Sequence, residues 1–140
     1  MDGVERVVVS AVLGAASAVK MCTASVYKGR VALLAQALRT AHAHGVVEHV
    51  LEDLADTGLA DRDRTGATLA RASAKAWRYV AEMEEIAATF ADEGQSPGYH
   101  RAASAFFGRV GQTELGQERP ESRDTSRTLQ AVVEALAARW

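Results

Sequence analysis

The chain has 140 residues, of which 48% are hydrophobic but only 6% aromatic, and its formal net charge is −2. That length suits one domain, able to bury roughly two thirds of its unfolded surface, and the charge balance argues against general nucleic-acid or anionic-membrane binding. Cys22 is the only cysteine, which excludes an intrachain disulfide and a cysteine-based zinc site and fits a reducing, cytoplasmic setting.

The first apolar run, VVVSAVLGAASAV over residues 7–19, is shorter than the roughly 20 residues a membrane-spanning helix needs. No membrane span is expected. Ala16-Ser17-Ala18 has the form of a signal-peptidase site, but Asp2 and Glu5 oppose the positive flank that such a leader requires. Val8, Val12, Ala15, Val19, Cys22 and Val26 recur at 4-3-4-3-4 spacing, the narrow seam of a helix packed nearly parallel or antiparallel to another. Cys22 lies in that seam and reads as a small core residue. Gly29 either ends this helix or sits inside a longer one.

At about 100° per residue, Val31, Leu34, Leu38 and Ala41 share one side, while Val46, Val47, Val50 and Leu54 share nearly the opposite one. A straight helix cannot bury both, so the chain must turn between them, and Gly45 best tolerates a helix-ending left-handed conformation. His42, His44 and His49 therefore read as residues of a helix junction, where imidazole meets free carbonyls. His44 with Glu48, and His49 with Asp53, have the i, i+4 spacing of paired metal ligands. The first pair straddles Gly45, the two pairs point in different directions, and neither a Glu-x-x-His nor a His-Glu-x-x-His motif occurs. These four residues are the weak candidates for a metal. The sequence calls for no cofactor.

Leu69, Ala72, Ala76, Tyr79, Met83, Ile86 and Phe90 step at helical spacing and predict one long central helix over about 65–93. Asp63 or Thr65 would cap it, and Gly94 with Pro97 would stop it. Its first half carries Arg71, Lys75 and Arg78, its second Glu82, Glu84, Glu85, Asp92 and Glu93. That order opposes the helix dipole and asks for partners. Folding residues 46–57 back along it would set Glu52 beside Arg71 and Glu48 beside Lys75. The acidic half, with Glu82 and Glu85, would need Arg39 of the preceding helix, the arginines of the C-terminal segment or another subunit, and is a candidate partner-binding face.

YHRAASAFFGRV, residues 99–110, predicts a short helix with Ala102, Ala103 and Phe106 facing inward. His100 falls in its first turn, where a solvated role is expected and no positioned nucleophile is foreseen. Residues 111–122 hold hardly an apolar side chain and read as a flexible linker. Leu129, Val132, Val133, Leu136, Ala137 and Trp140 then form an amphipathic stripe. It is expected to pack on its own bundle as the last helix, with a helix-in-groove recognition element as the alternative.

The expected architecture is all-α: a helical bundle of about five or six helices, with a core over 1–110, a linker over 111–122 and a C-terminal helix over 123–140. No Gly-rich phosphate loop, G-x-S-x-G elbow or Cys-His arrangement is found. The leading functional expectation is a non-catalytic protein-protein interaction or self-association module, possible as a homodimer or with another helical protein. Its candidate contacts are Glu82, Glu85, Leu129, Val132, Val133, Leu136 and Trp140. One alternative is a DNA-binding regulator built on a degenerate helix-turn-helix around residues 50–78. It departs from that motif because Ala55 and Gly58 are too close and the turn through Arg64 is too long. A second alternative is a helical-bundle enzyme or metal-binding protein assembled from residues distant in sequence.

Overall fold

The computed structural model describes residues 14–138 and 140. Within them the chain is all helical: α1 (Ala15–Ala43), α2 (Val47–Asp56), α3 (Thr65–Ser73), α4 (Ala76–Asp92), α5 (Gly98–Val110) and α6 (Leu129–Ala137), with a single 3-10 turn at Pro120–Ser122. Val8 and Val12, the start of the predicted seam, lie outside the described residues.

The longest rod is α1, not the predicted central helix. Its 29 residues span about 43 Å, and Gly29 sits inside it. The face turned to the bundle is made of small residues, Ser25, Gly29, Ala32, Ala35 and Ala41, with Leu38 as the one large side chain. Neighbouring helices therefore come close. Tyr99 of α5 donates a hydrogen bond to the Gly29 carbonyl at 3.0 Å, and a Cβ on Gly29 would stand 3.1 Å from the Tyr99 ring. The helix ends at the expected junction: Gly45 adopts φ +68°, and the chain turns into α2.

The expected rod over 65–93 is broken at Ala74 and Lys75. Ser73 donates its hydroxyl proton to the Leu69 carbonyl at 2.7 Å, a local bond that bends helices, and the Lys75 amide reaches back only three residues, to Ala72. The two halves also have different partners, since α3 packs on α6 and α4 on α5. Gly66 makes the first contact possible: a Cβ there would lie 3.1 Å from the Leu129 Cα. Met83 and Ile86 of α4 remain buried and Tyr79 half-buried, so the break leaves the core intact.

Residues 111–122, expected to be a flexible linker, instead fold onto the bundle. Leu115 is 1% exposed and belongs to the core. The Thr113 hydroxyl donates to the Val110 carbonyl at 2.6 Å and accepts the Gly116 amide at 3.2 Å. Arg127 binds Glu118 and, at 2.6 Å, Glu114, tying the segment to the approach of α6. Composition misled here because one leucine and a few local hydrogen bonds are enough to order a polar stretch.

The stripe on α6 is taken up by the molecule itself. Val132, Val133 and Leu136 are fully buried in the core formed with α1 and α3, Leu129 packs against that core, and Thr128 caps the helix by accepting the Ala131 amide at 3.1 Å. Trp140 stacks at a tilt on Phe106, 5.0 Å between centroids. The guanidinium of Arg39 lies 4.2 Å, and that of Arg109 5.0 Å, from the Trp140 ring centroid, a cation–π clamp that fixes the chain end. Burial, with Arg109 adding to it, holds the Arg39 pKa below its ordinary value.

Candidate functional site

The weak metal candidates are not brought together. His44 caps α1, His49 and Asp53 are exposed on α2, and Glu48 accepts a hydrogen bond from Arg62 at 2.6 Å. Among the described residues no group of three or more His, Cys, Asp or Glu side chains converges on one point. Among the described residues the predicted pairs Glu48 with Lys75 and Glu52 with Arg71 do not form: Glu48 pairs instead with Arg62, in the turn before α3, and α2 packs mainly on α1.

The helix-turn-helix expectation meets a similar obstacle. The helix that would enter a groove is only Thr65–Ser73, and Thr65, Gly66, Leu69, Ala70, Ala72 and Ser73 are all buried. Arg71 and Arg78 are exposed but sit on either side of the break, on different helices.

His100 is the clearest correction. It is 4% exposed, with Nε2 at 2.6 Å from the Ser25 hydroxyl, and it stands edge-on to Phe90 and Tyr99 at 4.5 and 5.1 Å between centroids. Its Nδ1 is buried and has no partner. Burial lowers its pKa below the ordinary 6.5. A serine–imidazole pair can activate a nucleophile when a third group orients the base; here no carboxylate touches Nδ1, so the pair works as a polar pin joining α1 to α5. A sequence separation of 75 residues hid it from any local motif search.

Of the two acidic candidates, Glu82 is half-buried and paired with Lys28 of α1, and Glu85 is exposed beside the same small cleft. The Lys28 ammonium also lies 4.9 Å from the Tyr79 ring centroid. Part of the acidic half of α4 is thus answered from within, by Lys28 of α1, while Arg39 of the same helix lies on Trp140. Burial raises the Tyr79 and Tyr99 pKa values, leaving both phenols neutral donors or acceptors at ordinary pH.

What stands unanswered is the outer side of α1. Val19, Cys22, Val26 and Leu33 are exposed, Val26 by 64%, and Ala37 continues the row. At about 100° per residue these five lie within a sector of about 60°. They form a straight apolar stripe about 27 Å long. Cys22 was expected in the core; it faces outward because the bundle takes up Ser25, Gly29 and Ala32, on a different side of the helix. Beyond Leu33 the stripe opens into a shallow apolar trough of about 500 Å³ lined by Leu33, Ala37, Ala41, Val46 and Val50.

Neither the search of curated proteins nor that of solved structures gives a match to this chain. The family model described as Domain of unknown function (DUF1932) matches residues 41–110, from the end of α1 to the end of α5, which is half of the 140 residues; the chain belongs to that family.

Proposed function

We propose that this protein is a non-catalytic helical module that associates with a second copy of itself through the outer face of α1. The observation that carries this reading is the exposed row Val19, Cys22, Val26 and Leu33. A contiguous apolar stripe of this length is costly to leave in water and marks a contact surface. Its spacing selects the occupant. Ala15, Val19, Cys22 and Val26 step 4-3-4, a pattern that reads the same in both chain directions, as a two-fold interface between antiparallel copies of one helix requires.

Charge agrees with that choice. α1 contains no acidic residue to be stranded in a like-with-like contact. Of its bases, Lys28 is committed to Glu82, Arg39 lies on Trp140, Arg30 donates to the Leu59 carbonyl at 2.9 Å, and Lys20 falls about 100° of helix rotation away from the stripe. The stripe itself is uncharged. No membrane-spanning helix occurs among the described residues, so the apolar face is not read as part of a transmembrane segment.

The test is native mass measurement on the wild type and on Val26→Glu. The wild type is expected at twice the chain mass of 14.9 kDa at micromolar concentration. Val26→Glu, which places a carboxylate within the interface, is expected at the single-chain mass with an unchanged circular dichroism spectrum. A wild type that stays at single-chain mass up to about 100 μM, or a variant that keeps the doubled mass, defeats the reading.

A further inference from the structure

Trp77, the second residue of α4, is 68% exposed, an unusual place for the largest side chain of an alanine-rich protein. It lines an open cleft of about 810 Å³ between the start of α4, the end of α5 and the ordered segment after it. That volume falls in the range of small-molecule sites. The glycines Gly108 and Gly111 form part of its wall and leave it without side chains. A Cβ on Gly108 would project toward Val80, 3.9 Å away.

The cleft's charges are uneven. Arg78, Arg119, Glu118 and Glu121 line it, and Glu118 is held by Arg127. Among the described residues neither Arg78 nor Arg119 has an ion pair, which leaves two free guanidiniums against the one carboxylate of Glu121. Another arginine-lined cavity, beside Tyr27, differs in this respect. There Arg62 pairs with Glu48, Arg64 with Asp61, and Arg30 is bound to a carbonyl. At Trp77 an open aromatic face and uncommitted cations share one cleft.

From this juxtaposition we infer that the Trp77 cleft binds a small molecule with a flat ring and an anionic group. The ring stacks on the indole, and the phosphate or carboxylate meets Arg78 and Arg119 through charge-assisted hydrogen bonds. The site is separate from the α1 face and does not depend on self-association.

The chain's two tryptophans make the test direct, because each gives one indole N–H signal in an NMR spectrum and Trp77→Phe assigns them. The probes are 1-naphthyl phosphate and 1-naphthoate, with inorganic phosphate as the ring-free control. At least one naphthyl probe is expected to bind with Kd below about 1 mM, shifting the Trp77 signal and leaving that of Trp140 in place. Trp77→Ala and Arg119→Ala, both at the surface and expected to melt like the wild type, should each weaken binding about tenfold or more, and inorganic phosphate should bind at least about tenfold more weakly. Four results each overturn the inference. They are no shift with either probe up to about 10 mM, affinity that survives Trp77→Ala or Arg119→Ala, phosphate binding as tightly as the naphthyl probes, and a fall in native mass for Trp77→Ala without probe binding. The last would make the indole a contact between chains.

Discussion

Single side chains decide how α1 is held, and His100 is the most consequential of them. Buried against Phe90 and bonded to Ser25, it resists protonation, so its pKa in the folded state lies below the ordinary 6.5. The unfolded chain takes up the proton first as pH falls. The stabilisation from keeping the imidazole neutral is therefore fully present above pH 6.5 and is lost as pH drops below it, towards the lower folded-state pKa. The melting temperature is expected to fall between pH 7 and pH 5, and His100→Gln, which does not titrate, should lose much of that dependence while melting lower at pH 7. An equally steep pH dependence in the variant would assign the effect to other groups. Little of this was legible in the sequence. A histidine two residues into a helix looks like a solvated residue, and its partner on α1 is reached only through the tertiary fold. Gly45 is the opposite case, since its left-handed φ of +68° follows from a reversal of apolar faces that any reader of the sequence can count.

For whole elements, periodicity placed α2, α5 and α6 well and failed between α3 and α4. The apolar spacing runs on through Ala72 and Ala76 across the break, because both halves bury a face. Ser73 was the available signal, a hydroxyl able to bond the carbonyl four residues back. The stripe on α6 was legible as a stripe, and its spacing favoured packing on its own bundle without excluding an external groove. Its burial against α1 and α3 settles the destination, and it carries a stability prediction. Leu136 is fully buried there, so Leu136→Ala should cost about 2–5 kcal/mol, measured by urea unfolding with an unchanged m-value. A cost below about 0.5 kcal/mol is what a surface substitution gives and is incompatible with α6 as part of the core.

For the molecule as a whole, the sequence announced two apolar seams and could not say which would be used within the chain. A 4-3 spacing reports that a helix has a partner, and the same physics holds whether that partner is covalently connected or not. The α6 seam turned inward and the α1 seam outward, so that Leu129, Val132, Val133, Leu136 and Trp140, offered as candidate external contacts, lie in or against the core. If the α1 face joins two chains, folding and association are one equilibrium, and mass action makes the melting temperature depend on protein concentration. For a dimer of two 140-residue chains that melts in one step to free chains, each tenfold rise in concentration should raise the transition by about 2 °C. Val26→Glu should melt at the same temperature at every concentration. The comparison of the two proteins over a hundredfold range isolates the outer face of α1 from every other source of stability, because the substitution changes an exposed side chain and leaves the bundle core untouched. Coincident, concentration-independent transitions for both would show that the stripe stays in water and that self-association forms no part of how this protein works.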